Sequence, residues 1–210
     1  GFTTTGASIL SDVESLSHCI LLWRSFTHWI GGMGVLVFIL CLLPLTGGYH
    51  MNLMKAESPG PSVSKLVPKV QSTAKILYTI YILMTVVEMV FLLLGGMPLF
   101  DTLCLSFGTA GTGGFGIKND SIASYSTYNQ IVITVFMILF GVNFNAYYLL
   151  LSKKVMQAAK NEEVRYYLGI IGLAIVAIAV NTRDMFTSFG RAFQQAAFQV
   201  GSIITTTGYA

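Results

Sequence analysis

Three short segments constrain this chain most: Thr3-Thr4-Thr5-Gly6, Ala110-Gly111-Thr112-Gly113 and Thr205-Thr206-Thr207-Gly208. Each ends on a Thr-Gly pair, and their final glycines lie 107 and then 95 positions apart. Each also sits among apolar stretches long enough to cross a bilayer. Irregular backbone at membrane depth is tolerated only where protein buries it or where it lines a water-filled path. The chain therefore reads as a tandem repeat of spanning and re-entrant pieces. One Thr-Gly pair is an ordinary turn. Three in register, two of them directly after short half-helix candidates, point to strands whose carbonyls replace a cation's hydration shell.

Composition agrees with a membrane class. Only 10% of residues are charged and 54% are hydrophobic, against about 25% charged in a soluble domain. Cys19, Cys41 and Cys104 lie in or beside apolar runs without CxxC spacing. They are expected to be buried free thiols rather than a disulfide framework or a metal site. Both ends of the chain fall at a Thr-Gly segment and are read as cut.

Four stretches are expected to span, at 17–45, 73–95, 128–151 and 166–181, each apolar over roughly the 17–25 residues a helix needs. Two shorter pieces, Pro98 to Phe107 and Arg191 to Phe198, read as half-helices. The first opens with proline in its first turn and an acid near its N-terminus, and the second is capped by Thr187 or Ser188. The organisation is thus span, half-helix, Thr-Gly strand, span, repeated. It divides as 1–72 (end of repeat 1), 73–165 (repeat 2) and 166–210 (start of repeat 3). Lys55, Lys65, Lys69 and Lys75, and then Lys153, Lys154, Lys160 and Arg165, cluster after the first and third spans. That bias places those loops in the cytosol and the Thr-Gly strands toward the outside.

The candidate ion-binding residues are Thr4, Thr5, Gly6, Gly111, Thr112, Gly113, Thr206, Thr207 and Gly208, with Gly6, Gly113 and Gly208 as pivots. Glycine lets carbonyls turn toward an axis, and half-helices ending there direct negative dipole ends at a cation. Asn143 and Asn145 either line a cavity below these strands or act as polar glue between helices. Arg24 and His28, on one face of the first span, either hold an anion or proton or pack against a re-entrant loop. Glu88, the one acid deep in a span, is either a functional group or an inter-helix hydrogen-bonding one. Gly31-Gly32-Met33-Gly34 reads as a close-packing surface, and Trp23 and Trp29 as interfacial or packing residues. Gly108 to Gly114 superficially resembles a nucleotide loop, but no Gly-Lys-Ser/Thr follows. No HExxH and no Ser/His/Asp constellation is present, so no enzyme is expected.

The segments Thr3 to Ser8, Trp23-Arg24-Ser25, Trp29 to Gly34, Gly108 to Phe115, Asn143-Phe144-Asn145 and Thr205 to Tyr209 together resemble the Trk/Ktr/HKT superfamily of potassium transporters, the TrkH type above all. The resemblance extends over nearly the whole chain. It implies an all-α membrane protein with four span–pore-loop–span repeats around a pseudo-fourfold pore, of which this chain would cover filter 1 to filter 3. It implies potassium as the transported ion, no organic cofactor, and uptake across the cell's inner membrane by a multi-pass subunit in contact with membrane lipid. Glycine at the visible pivots implies potassium over sodium. The resemblance further implies a homodimer and a cytosolic nucleotide-binding regulatory partner of the TrkA type, with no nucleic acid bound. The intramembrane gating loop and pore-facing arginine of such proteins fall in later segments and have no counterpart here. A broken-helix secondary transporter of another cation, such as sodium, is the rival reading; it would show inverted repeats, whereas these motifs recur on one side.

Overall fold

The computed structural model describes residues 1–10, 12–34, 70–151, 156–157 and 161–210, and the regular structure among them is helical. The helices are α1 (His18–Gly32), α2 (Val70–Leu94), α3 (Leu99–Ala110), α4 (Thr127–Phe140), α5 (Phe144–Leu151), α6 (Glu162–Asn181) and α7 (Phe189–Ile204), with a short 3-10 turn at Arg183–Met185. Ala74–Leu94 and Glu162–Asn181 are apolar over 21 and 20 residues, long enough to cross a membrane. The second begins four residues earlier than its hydropathy suggests. Asn161 caps it, its side chain accepting from Glu163 N, and Glu162 and Glu163 suit the positive end of the helix dipole. Of the expected span at 17–45, α1 covers His18–Gly32, and the described residues of this stretch end at Gly34. Its inner half, Cys41, the loop at 56–61, and Lys55, Lys65, Lys69, Lys153, Lys154 and Lys160 lie outside the described residues.

The expected third span, 128–151, is instead broken in two. α4 stops at Phe140, Gly141 caps it, and α5 starts at Phe144. Tertiary packing explains the break: a Cβ on Gly141 would overlap the Tyr167 hydroxyl and crowd Thr205. Two tyrosines then take up carbonyls near the interrupted end, Tyr167 donating to Ile138 O (3.0 Å) and Tyr147 to Leu139 O (2.7 Å). Both half-helices form and run longer than expected. Pro98 stands just outside α3 at its N-cap, and Ser188 Oγ accepts from Arg191 N (3.3 Å) to cap α7.

One packing relation occurs twice. α3 lies between α2, the helix before it, and α1; α7 lies between α6, the helix before it, and α4 in the same way. The main core joins α2, α3 and α4 around Tyr81, Leu92, Leu105, Ile133 and Met137, with Tyr209 reaching in from the C-terminal strand. A second core, Ile171, Ile175 and Ala179 against Ala196 and Val200, joins α6 to α7. The outward faces stay apolar: Ile82, Leu83, Val86 and Val90 of α2, and Ile170, Leu173, Val176 and Val180 of α6, are exposed. So extensive an exposed apolar surface suits a hydrocarbon solvent and not water. Cys104 is buried as expected, but Cys19 is exposed, because it lies on the outer face of α1 beside Ile20 and Trp23.

Candidate functional site

The site is built where α3 and α7 end. After each helix the chain leaves helical geometry through one repeated local pattern. Thr112 N donates to Thr109 O and Thr206 N to Ile203 O, both three residues back, and Thr4 N donates to Gly1 O in the same way. Gly114 N reaches back six residues to Gly108 O, and Gly208 N six to Ser202 O. The threonines then adopt left-handed angles, φ +50° at Thr4, +49° at Thr112 and +58° at Thr206. Two positions on, Gly6, Gly114 and Gly208 do so again at +70°, +71° and +82°. A threonine held at positive φ is strained, and the same strain at three equivalent positions marks a backbone shape that the fold imposes.

This register differs from the one the Thr-Gly spelling suggests. Gly114, not Gly113, matches Gly6 and Gly208. Gly113 matches Thr5 and Thr207, while Gly111 is the right-handed C-cap of α3 and matches Thr205. The second segment carries three glycines in four positions, so its spelling allows either alignment. Only the backbone angles and hydrogen bonds decide between them.

The three strands converge. A Cβ on Gly6 would overlap the carbonyl oxygen of Gly113 and lie 3.9 Å from that of Thr207. A Cβ on Gly114 would overlap the Thr207 carbonyl oxygen. A carbonyl of the second strand thus packs against a glycine of the first, and a carbonyl of the third against a glycine of the second, at points that only glycine leaves open. Thr205 and Thr207 hydroxyls bond each other at 2.7 Å, Thr3 and Thr5 at 2.9 Å, and Thr205 Oγ1 donates to Gly201 O at 2.6 Å.

On the helix-end side of the strands lies a cavity of about 370 Å³, lined by Gly31 to Gly34, Ala110, Thr112, Gly141, Asn143, Glu163, Ile204 and Thr206 among others. The carboxyl ends of α3 and α7 face it, and their dipoles favour a cation. Asn143 lines this cavity, its amide donating to Glu163 Oε2 at 3.0 Å. The side chain of Asn145 lies outside the described residues. Glu163, the charged residue among the cavity lining, is not a site candidate by sequence. It stands ahead of the stretch expected to span, and nothing local reveals that α6 begins beside the cavity.

The surroundings brace the strands. The His28 ring stacks on Phe115 at 3.9 Å, and the Arg24 guanidinium lies 4.2 Å from the centre of the same ring. Of the two readings of Arg24 and His28, packing against the re-entrant loop is what this geometry presents. Gly113 leaves room for the His28 ring, Gly111 for the His28 backbone, Gly31 for the Phe2 backbone and Gly32 for Gly111, so α1 approaches the strands over its glycines. Trp29 is a packing residue, its Nε1 donating to Thr85 Oγ1 at 3.2 Å, whereas Trp23 is exposed. Above the strands, Asn119 accepts from Val13 N (2.8 Å) and donates to Asp12 Oδ1 (2.8 Å), and its own N donates to Glu14 Oε1 (3.0 Å). The Asn119 amide holds the Asp12 carboxyl below its ordinary value of 3.8. Ala210 O accepts from Ile122 N (3.1 Å), joining the loop that carries Asn119 to the third strand. Tyr125 donates to Asp101 Oδ2 at 2.9 Å, and burial together with that carboxylate pushes its hydroxyl up.

Thr-Gly segments with one strained backbone pattern, two of them at the ends of short helices, set among helices with exposed apolar faces, define a helical membrane protein with re-entrant segments. Residues 1–175 match the model of the TrkH cation transport protein family, and the chain belongs to that family. It is 36% identical over 215 aligned positions to the Trk system potassium uptake protein TrkH of Salmonella typhimurium, and 33% identical over 219 to TrkG of Escherichia coli. Each alignment covers 100% of this chain and 44% of the relative. The crystal structure of the potassium transporter TrkH from Vibrio parahaemolyticus superposes with a TM-score of 0.80 at 30% identity, over 100% of this chain and 43% of that one. The chain therefore spans a little under half the length of the relatives it matches.

Proposed function

We propose that this chain is part of the ion-translocating subunit of a Trk-type potassium uptake system. One observation carries the reading: three strands in one backbone register, each packed with a glycine against a carbonyl of the next, at the ends of two half-helices. A potassium ion sheds water only where several oxygens replace it, and backbone carbonyls held by glycine at the crowded points supply them without a fixed charge that would trap the ion. Thr4, Thr5, Gly6, Thr112, Gly113, Gly114, Thr206, Thr207 and Gly208 would form the selectivity filter, closed into a pseudo-fourfold ring by a further strand. Gly111, at the end of α3, would support it from behind. Asn143 and Glu163, with Asn145 nearby in sequence, would line the inner vestibule. The filter would face outward in the cell's inner membrane, and the basic inner loops would dock a cytosolic nucleotide-binding regulatory subunit of the TrkA type. The names of the relatives support potassium as the ion.

Expression of the intact subunit in a strain deficient in potassium uptake tests this directly. Growth at low potassium, with rubidium uptake that excess sodium does not suppress, is the expected result. Sodium uptake without rubidium uptake would overturn the assignment.

A further inference from the structure

The shared register gives the position after each turning glycine a common place in the pattern. In the second strand that position is Phe115, whose ring packs on His28 of α1. In the third it is Tyr209, whose ring is fully buried in the main core with Leu105. Tyr209 differs in carrying a hydroxyl, which donates to Leu105 O of α3 at 3.1 Å. Its own carbonyl accepts from Ser202 Oγ of α7 at 2.6 Å. One residue, next to Gly208, thus bridges the two half-helices that lead into the second and third strands.

α3 is shaped to receive it. Gly108 lies inside that helix, where glycine costs stability relative to alanine. A Cβ there would overlap the Tyr209 hydroxyl, and the next atoms it would meet are the ring Cζ at 3.3 Å and Phe115 O at 3.4 Å. The tyrosine oxygen is therefore the neighbour that most requires a glycine at this point. The same residue supports the second strand, since Gly108 O accepts from Gly113 N at 3.0 Å and from Gly114 N at 3.5 Å. The seat of the third strand's anchor and the support of the second are one residue of α3. The anchor is also separable from the fold. Leu105 O keeps the Thr109 hydroxyl, 2.9 Å away, when Tyr209 loses its own, so removing the phenol oxygen leaves no buried acceptor unpaired.

We propose that Tyr209 is a positioning residue for cation selectivity. With its hydroxyl on Leu105 O and seated over Gly108, it fixes the third strand against α3 and so sets the spacing between the second and third strands. Its side chain touches no ion. This rests on reading the strands as a cation filter, and the test separates the two ideas.

In the intact subunit, Tyr209→Phe, Gly108→Ala and the double variant are compared with wild type at equal membrane abundance. Two quantities are read: the ratio of rubidium to sodium uptake, and the thermal stabilisation of purified protein by potassium relative to sodium, which reports binding without transport. Tyr209→Phe keeps the buried ring and lowers the uptake ratio by about fivefold, the equivalent of one buried hydrogen bond, with a matching loss of the potassium preference in stabilisation. Gly108→Ala displaces the same hydroxyl and lowers both in the same way. The double variant is no worse than either single, because loss of the hydroxyl makes room for the new Cβ. A merely structural role would lower abundance or total uptake while leaving the ratio intact. A wild-type ratio in Tyr209→Phe, or losses that add in the double variant, overturn the inference. Failure of wild type to take up rubidium while potassium still stabilises it specifically overturns the proposed function, and the stabilisation measurement then decides the role of Tyr209. Wild type with neither rubidium uptake nor potassium-specific stabilisation overturns both.

Discussion

Replacing Gly114 with alanine in the intact subunit separates two costs that a glycine at positive φ combines. At φ +71° any residue with a Cβ takes on backbone strain of roughly 1–2 kcal/mol. The new Cβ would also overlap the Thr207 carbonyl oxygen and come within 2.8 Å of its carbon. A close-packed backbone cannot yield to that as a flexible side chain would, so about 1–3 kcal/mol more is expected. Gly96, between α2 and α3, is the control. It has φ +75° and nothing within 4 Å of a Cβ, so Gly96→Ala carries only the backbone cost. The difference between the variants, about 1–3 kcal/mol, therefore isolates contact with the carbonyl of the neighbouring strand. Thermal unfolding of the purified subunit measures it. Paired rubidium and sodium uptake tests whether moving the Thr207 oxygen also lowers selectivity, as it should for Gly114→Ala and not for Gly96→Ala. Equal destabilisation and equal selectivity in the two variants would refute the convergence of the second and third strands.

Gly113→Ala should act through a side chain instead, since its Cβ would overlap the His28 ring; adding His28→Ala should recover part of the roughly 1–3 kcal/mol loss in thermal unfolding, and no recovery would count against the packing of α1 on this strand. Asn119→Ala should loosen the join between the loops after the first and second strands and lower the unfolding temperature. Because Asn119 lowers the Asp12 carboxyl in the folded protein, its contribution is full above the ordinary carboxylate value of 3.8 and is lost as pH falls through the lowered folded value. The stability gap between wild type and Asn119→Ala should therefore narrow in that acid range, and a gap constant with pH would contradict the coupling. Single cysteines at Ser124 and Ser62, in a background without native cysteines, should label differently with an impermeant thiol reagent on intact cells; Ser124 should react and Ser62 should not, and the reverse would invert the membrane orientation. Glu163→Gln should lower potassium uptake only about twofold, as befits a solvent-screened charge, with the deficit shrinking at high ionic strength; an effect unchanged by salt would mean that Glu163 acts by contact instead.

Much of the architecture was legible in local sequence because its determinants are local. The half-helices declare themselves by Pro98 and Ser188 at their starts and by the strands they run into, and α2 and α6 by unbroken apolar length. Recurrence of Thr-Gly picked out three segments that share one backbone pattern, and for Thr4, Thr5, Gly6, Thr206, Thr207 and Gly208 its spelling agrees with the backbone register. In the second segment, where Gly111, Gly113 and Gly114 surround Thr112, composition could not say which glycine is the turning point. That choice depends on which hydrogen bonds close behind α3 and on which glycine faces Thr207. The break at Gly141 was equally invisible, since nothing in an apolar run reveals that Tyr167 and Thr205 come to rest against it. Nothing in the residues around Glu163 could disclose that it borders the cavity. Apolar length and turn chemistry act over a few residues and can be read along the chain. The packing of a carbonyl from one strand against a glycine of another about a hundred positions away comes from contacts between distant segments, which only the tertiary fold brings about.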